Sequence, residues 1–283
     1  MTATAPGPTR RGVGRSLIRG FGELLITLGV VVLLFVVYEV YVTDLFGERK
    51  QAAATTAVDR VWAQSQETAT VVAQAPQEMA TDPQQRVPTY DTVLGEGFAK
   101  LRIPVLGADY VFTVVEGTEP DDLYIGPGHY SQTQLPGEQG NFAVAGHRVS
   151  KGSPFNDLGL LASCDAIVVE TQDDWFVYRV LPMAEETATW ADTPRAHCDG
   201  VGVQTGAYDG VYGREITVPS DYAQVLPVPH VNSTAVPADA ERLITLTTCH
   251  PQFSDAERMI IHGVLVKSYA KSPGFLPPEL GEG

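Results

Sequence analysis

Metal-binding motifs are missing from this sequence. Its 283 residues include three cysteines and six histidines, yet no C-x-x-C, H-x-x-H or H-E-x-x-H pair occurs among them. Structural and catalytic zinc sites use closely spaced ligands of these kinds. We therefore expect no metal and no other cofactor.

Positive charge is also scarce. The chain has 19 lysines and arginines against 34 acidic residues, and its formal net charge is −15. Four of these cations lie in residues 1–20, which contain no acidic residue: Arg10, Arg11, Arg15 and Arg19. The remainder is therefore strongly acidic and is a poor partner for nucleic acid.

Only one charged residue, Glu39, interrupts the apolar residues 24–42. A helix over residues 21–42 would span roughly 30 Å, which matches the hydrocarbon core of a bilayer. We therefore predict a transmembrane helix at residues 21–43. The preceding basic tail, residues 1–20, predicts a cytoplasmic N-terminus and an external body in a single-pass protein of the cell membrane.

A cleavable signal peptide is the alternative interpretation of this run. The run is long for the apolar region of a signal peptide. Tyr38, Tyr41 and Phe46 follow it and suit a membrane interface better than a cleavage site. We favour the uncleaved anchor.

The rest of the chain divides into segments of different composition. Residues 44–92 read as a stalk that holds the body away from the bilayer, with an Ala- and Gln-rich helix at 51–66 and a Pro-rich linker at 75–88. Residues 93–270 show short strands separated by turn residues, which favours a closed barrel or a sandwich. Residues 184–215 interrupt the regular spacing of the strands and are interpreted as an insertion. Residues 271–283 are expected to form a flexible tail.

A cysteine ends one of these strands. Residues 243–248 are apolar and β-branched, Cys249 follows them, and Pro251 stops further ladder pairing. A thiol at the end of a rigid strand has a fixed position and an exposed sulfur, as a nucleophile requires. An inert buried thiol is the alternative.

Two further residues lie at strand edges. His147 follows the strand-like residues 141–146, and Arg258 opens another strand nine residues after Cys249. A histidine can accept the thiol proton and later protonate a leaving amine. An arginine can stabilise the oxyanion of a tetrahedral intermediate. We expect Arg148, beside His147, to be a solvated or structural charge.

The other candidate residues are weaker. His250 adjoins Cys249, but adjacent strand residues point to opposite faces. His262 shares a face with Arg258 by alternation, so it either contacts substrate or is a hydrogen-bonded structural residue. Acidic turns such as residues 172–174 could hold calcium, although most such segments are ordinary turns.

These motifs resemble those of a known family. The segment TLTTCHP with Cys249, the downstream AERMIIHG with Arg258 and the upstream AGHR with His147 resemble the signature of the sortases, cysteine transpeptidases of Gram-positive surfaces. The TLTTC form and the anchor are most similar to class E. The resemblance covers roughly residues 93–270 and implies an all-β, mostly antiparallel, closed eight-stranded barrel with a few short helices.

The resemblance also implies an activity. Sortases cleave a C-terminal sorting signal of LAxTG- or LPxTG-like sequence between Thr and Gly through a thioacyl cysteine, and class E members are associated with LAxTG-like signals. The expected partners are secreted proteins bearing such a signal and an amine on a peptidoglycan precursor or pilin. The family uses the segment before the nucleophile, here Thr247 and Thr248, to line the peptide groove.

Two other classes of function stay open. One is a cysteine peptidase that uses the same site with water as acceptor. The other is a catalytically silent binding module on the surface. If Cys249 is catalytic, Cys164 and Cys198 are the natural disulfide pair, and two unpaired thiols are the alternative.

Overall fold

A long helical segment precedes the body of the protein. The computed structural model describes residues 13–72 and 92–283. Helix α1 (Val13–Val37) continues through a π-helical turn (Tyr38–Val42) into α2 (Thr43–Val72). The part of α1 at Leu17–Val37 is long and apolar enough to cross a membrane, and its most apolar stretch is not buried in the protein. Most of the basic tail and the Pro-rich linker lie outside the described residues.

The apolar helix begins and ends earlier than the expected span of residues 21–43. Leu17 and Ile18 extend it at the start. At its end, Tyr38–Val42 contains Glu39 and adopts π-helical geometry rather than continuing the α-helix. The candidate span is therefore 21 residues long.

The described part of the body consists of nine strands, one short α-helix and several 3₁₀ turns. The regular elements are β1 (Gly97–Arg102), β2 (Val111–Glu116), α3 (Pro120–Leu123), β3 (Gly128–His129), β4 (Gly140–Ala145), β5 (Ala166–Glu170), β6 (Asp174–Val180), β7 (Arg214–Thr217), β8 (Arg242–His250) and β9 (Glu257–Ala270). The 3₁₀ turns are Pro104–Leu106, Leu158–Leu160, Ala184–Asp192, Gly206–Tyr208, Tyr222–Val225 and Pro278–Gly281.

Eight of the strands close into a barrel. The order is β6-β5-β1-β2-β3-β4-β8-β9, and pairing of β6 with β9 completes the ring. β7 pairs with the first residues of β9, on the edge that β6 occupies further along. The β2–β3 and β4–β8 pairs are parallel and the others are antiparallel. The predicted mostly antiparallel eight-stranded barrel is confirmed, with β7 as an addition.

The barrel interior fixes which side chains point outward. Inward-facing residues of three neighbouring strands lie in one buried apolar cluster: Phe142, Val144, Ile244, Leu246, Met259 and Ile261. Full burial of each such side chain contributes about 1.5–3 kcal/mol. Because strand side chains alternate, Thr245, Thr247 and Cys249 lie on the outer face. Alternation along β8 therefore points Cys249 away from the core.

The expected insertion at residues 184–215 packs against this outer face. Its Tyr208 and Val211 form a second buried cluster with Val228, Leu243 and Val264. The segment therefore adds a second apolar layer over β8 and β9.

A disulfide joins the same segment to the barrel. Cys164 and Cys198 are bonded, with a Cα–Cα distance of 5.1 Å, and Cys249 is the free cysteine. Cys164 lies just before β5, so the bridge ties the insertion to the loop leading into that strand.

The structure corrects the expectation of a flexible tail at residues 271–283. Glu279 is buried and accepts hydrogen bonds from Lys267 Nζ (2.9 Å) and Tyr269 Oη (3.1 Å). Glu282 forms an ion pair with Arg179 of β6. The proline and glycine content of the segment suggested disorder, but its two carboxylates meet cations on β6 and β9.

The structure also corrects the expectation that the segment after the apolar helix is only a stalk. Gln51, Thr55, Val58 and Trp62 form one helical stripe on α2, and Val58 and Trp62 are buried. Gln51 Nε2 donates to the carbonyl oxygen of Thr113 (3.1 Å), and Thr55 Oγ1 lies 2.7 Å from Thr113 Oγ1. This part of the helix is therefore packed on the barrel instead of acting as a spacer.

We predict that the disulfide contributes substantially to stability. The two cysteines are 34 residues apart in sequence, and closing a loop of this size in the unfolded chain corresponds to about 3–4 kcal/mol in the chain-entropy model. The Cys164→Ala/Cys198→Ala variant should lose about this free energy of unfolding in a denaturant titration. Cys249→Ala is the matched control and should change it little; equal stability of both variants would refute the prediction.

Candidate active site

Strand register places Cys249 beside Arg258. The two residues are direct partners in the antiparallel β8–β9 ladder. Directly opposed residues of such a ladder share a face, with Cβ atoms about 4.5–5.5 Å apart. The Cys249 thiol is partly exposed. A thiol and a guanidinium therefore meet on the outer face of the barrel, at the end of the hairpin.

His147 reaches the same edge through a parallel pair. β4 runs parallel to β8, with Ala145 opposite Thr247. Two residues further along each strand come His147 and Cys249. Gly146 N donates to the carbonyl oxygen of Thr247 (3.0 Å), which extends the pairing towards His147. The parallel register thus brings the histidine and the cysteine into one cavity of about 680 Å³.

The environment of His147 keeps its ring neutral. Burial, together with the nearby charge of Lys151, lowers the pKa of His147 to about 4. Its buried Nε2 has no hydrogen-bond partner within the described part of the protein. A neutral imidazole at neutral pH can accept a proton, so His147 is in the state that a general base requires.

Arg258 is held by its own turn. Its Nη1 donates to the carbonyl oxygens of Asp255 and Glu257, at 3.0 Å each. Both bonds use Nη1, so they orient the guanidinium without engaging its Nε–H or Nη2 donors. Those donors have the planar geometry that suits an oxyanion.

Arg148, which the sequence predicted to be a solvated or structural charge, lies at the site itself. Its Nη1 donates to the carbonyl oxygen of Cys249 (3.3 Å) and to Nδ1 of His250 (2.7 Å). Arg148 also lines the cavity that holds His147 and Cys249. Arg148 therefore ties β8, the strand that carries Cys249, to the loop that carries His147. Its position next to His147 was the signal in the sequence that could have identified it.

His262 does not contact the cavity, which corrects its assignment as a substrate-binding residue. It is fully buried, with Nδ1 2.9 Å from Thr245 Oγ1 and Nε2 3.1 Å from Gln224 Oε1. Alternation does place it on the face of Arg258. That face is covered here by the 3₁₀ turn Tyr222–Val225, so His262 is a hydrogen-bonded structural residue.

The hydroxyl groups of the two threonines before the nucleophile are both engaged. Thr247 Oγ1 lies 3.0 Å from Tyr130 Oη, and Thr248 Oγ1 donates to the carbonyl oxygen of Gly146 (2.8 Å). Burial raises the pKa of Tyr130, which keeps its hydroxyl protonated beside the site. Thr248 thus helps to hold the His147 loop in place, and substrate binding by Thr247 and Thr248 stays a prediction.

The helix from the apolar span forms one wall of the cavity. Glu39 and Asp44 line it together with Phe253 of the β8–β9 turn. Asp44 Oδ1 accepts a hydrogen bond from Gly152 N (2.9 Å). Gly47 lies so close to this loop that a Cβ would come within 2.6 Å of the Lys151 carbonyl carbon. The helix is therefore fitted against the His147 loop.

The described residues contain no set of metal ligands. Across residues 13–72 and 92–283, no group of three or more His, Cys, Asp and Glu side chains is arranged to hold a metal ion. The cavity is lined by the thiol of Cys249, the imidazole of His147 and the guanidinium of Arg148, and Arg258 adjoins it as the ladder partner of Cys249. This set suits nucleophilic attack by sulfur on a carbonyl carbon.

The chain is similar in sequence and in fold to known proteins. The family model described as the sortase domain matches residues 101–266. Sortase SrtE1 of Streptomyces coelicolor is 30% identical over 263 residues, which cover 90% of this chain and 59% of that protein. Sortase SrtE2 of the same organism is 28% identical over 282 residues, covering 96% and 92%. The chain thus spans little more than half of SrtE1 but nearly all of SrtE2.

A solved structure shares the barrel. The SrtF sortase from Corynebacterium diphtheriae is 46% identical, with a TM-score of 0.62. The match covers 70% of this chain and 100% of that chain.

We predict that the charge of Lys151 helps to set the pKa of His147. A neighbouring positive charge disfavours the imidazolium, so Lys151→Gln should raise this pKa from about 4 towards the ordinary value of about 6.5. The pKa should stay below 6.5, because burial is the larger cause and persists.

The measurement is an NMR titration of the His147 ring, assigned with a His147→Gln variant. Lys151→Arg keeps the charge and is the matched control, for which the pKa should not move. An unchanged or lower pKa in Lys151→Gln would contradict this account of the site.

Proposed function

The chain belongs to the sortase family and is similar to class E members of it, and from this premise we propose that it is a membrane-anchored cysteine transpeptidase acting on C-terminal sorting signals. The observation that carries the proposal is the register of β8. One strand presents Cys249 to Arg258 through its antiparallel neighbour and to His147 through its parallel neighbour.

In the first half-reaction Cys249 attacks the threonine carbonyl of the Thr–Gly bond. His147 takes the thiol proton, and the sulfur forms a bond to the carbonyl carbon. Collapse of the tetrahedral intermediate breaks the C–N bond, and His147 delivers its proton to the departing glycine amine. The product is a thioester on Cys249.

Arg258 stabilises the charge that develops on the carbonyl oxygen. Its guanidinium is already oriented by the carbonyl groups of Asp255 and Glu257, so little reorganisation is needed as the oxyanion forms. Arg148 holds the backbone of Cys249 and thereby fixes the direction of the sulfur.

In the second half-reaction an amine attacks the thioester. His147 accepts the amine proton, the new amide bond forms, and the sulfur leaves from carbon. The cavity wall includes the carboxyl groups of Glu39, Asp44 and Asp255. Their negative charge favours the approach of a cationic amine.

The proposed donors are secreted proteins with LAxTG- or LPxTG-like signals, and the proposed acceptors are amines of a peptidoglycan precursor or pilin. The apolar helix α1 suggests membrane anchoring. Arginines before that helix and the catalytic body after it support a cytoplasmic N-terminus and an external active site.

We predict that amide formation requires the three named side chains. A sorting-signal peptide is incubated with and without excess primary amine, and the products are identified by mass spectrometry. Cys249→Ala should abolish cleavage and transfer. His147→Ala and Arg258→Ala should each lower the rate by about 10²-fold or more, and Arg258→Lys should recover part of it because lysine keeps the charge but lacks the planar fork.

His197→Ala is the matched control, because its side chain is 57% exposed and pairs with Glu282 at a distance from the cavity; its rate should match the parent. Equally fast hydrolysis without transfer would make the protein a cysteine peptidase. Absence of turnover with any peptide would favour a binding module, and full activity of Cys249→Ala would refute the whole assignment.

A further inference from the structure

The catalytic cavity lies next to the end of the apolar helix. Glu39 and Asp44, which line the cavity with His147 and Cys249, lie directly after the apolar part of α1. The helical segment is continuous from α1 through the π-helical turn to α2. The depth of the span in a bilayer therefore determines the position of the cavity.

The contacts of α2 fix this relationship. Gln51 bonds to the carbonyl oxygens of Thr113 and Ile125 at 3.1 and 3.0 Å, and Thr113 N donates back to Gln51 Oε1 at 2.5 Å. Asp44 and Gly47 contact the His147 loop as described above. Because helix and barrel are packed together at both places, the anchor cannot swing freely against the body.

The distance of the cavity from the hydrocarbon follows from helix geometry. At about 1.5 Å per residue, Glu39 lies about 3 Å and Asp44 about 10 Å beyond Val37, where the apolar helix ends. The polar headgroup layer is about 5–8 Å thick on each side of the hydrocarbon core. One wall of the cavity therefore runs through the headgroup layer to its outer boundary.

Exposed aromatic residues lie on the helix and on the barrel near this wall of the cavity. On the helix, Tyr41 is 71% exposed, and Tyr38 and Phe46 are exposed as well. On the barrel, Phe253 is 78% exposed and lines the same cavity. Aromatic side chains favour the boundary between hydrocarbon and headgroups.

The backbone holds Phe253 outward. Its φ of +64° lies in the left-handed region, which costs a bulky residue about 1–3 kcal/mol and persists only where the surrounding structure enforces it. A large apolar side chain is thus held in the open at the cavity mouth. Burial in the protein does not explain it, whereas contact with lipid would.

We propose that the mouth of the catalytic cavity is a membrane-contact surface, in which Phe253 enters the headgroup layer of the same bilayer that holds α1. The occupant is lipid, because this surface is continuous with the membrane-crossing helix. In terms of the proposed function, an acyl donor or an amine acceptor attached to the membrane then reaches Cys249 along the bilayer surface.

The test uses the full chain in lipid nanodiscs with the photo-crosslinker p-benzoylphenylalanine at position 253. Position 41 is the positive control, since Tyr41 follows the span. Position 276 is the matched negative control, because Leu276 is 63% exposed. Leu276 lies in the tail whose Lys271 stacks on Trp62 (3.9 Å to the ring centroid), roughly 30 Å along the helix from Tyr41.

Position 253 should give lipid adducts at a yield within about threefold of position 41 and at least about tenfold above position 276. A yield at 253 equal to that at 276, with position 41 still labelled, would overturn the proposal. Adducts from 253 to an added sorting-signal peptide or to a second copy of the chain, without lipid adducts, would overturn it as well.

A second measurement does not depend on the crosslinker. Phe253→Trp fluorescence should be quenched by lipids brominated near the headgroup, whereas Leu276→Trp fluorescence should not; equal quenching of the two would count against the contact. Both experiments are repeated in the Cys249→Ala background. Lipid contact that survives there separates this proposal from the question of transpeptidation.

Discussion

The register of β8 is the constraint on which the active site depends. Its parallel pairing with β4 sets the position of His147, and its antiparallel pairing with β9 sets that of Arg258. A slip of one residue would turn Cys249 towards the core and Leu246 towards solvent. Burial of Ile244 and Leu246 therefore fixes the chemistry of the outer face as well as the stability of the barrel.

The helix before the barrel belongs to the same structure. Its stripe of Gln51, Thr55, Val58 and Trp62 packs on β1 and β2, while its first turns close the catalytic cavity. The apolar helix and the cavity are consequently joined by one continuous helical segment. A segment that resembles a spacer in composition positions the cavity instead.

The spacing of the short strands favoured a barrel or a sandwich, and the family resemblance implied the closed eight-stranded barrel. The motifs placed Cys249, His147 and Arg258 at strand ends. The segment that covers the outer face could not be predicted, because alternation gives the direction of His262 but not the 3₁₀ turn above it. The packing of the C-terminal tail depends on partners distant in sequence, such as Arg179 for Glu282. The role of Arg148 depended on a contact across the β4–β8 pair that spacing alone does not reveal.

A thioester on Cys249 would be visible in the mass of the protein during turnover. A sorting-signal peptide is mixed with the full chain, and the reaction is quenched with acid. The masses of the intact and the digested protein are then measured by mass spectrometry. We expect a transient adduct with the mass of the peptide up to its threonine, located on Cys249 and removed by hydroxylamine as a thioester would be. Product formation without such an adduct, or an adduct on another residue, would contradict it.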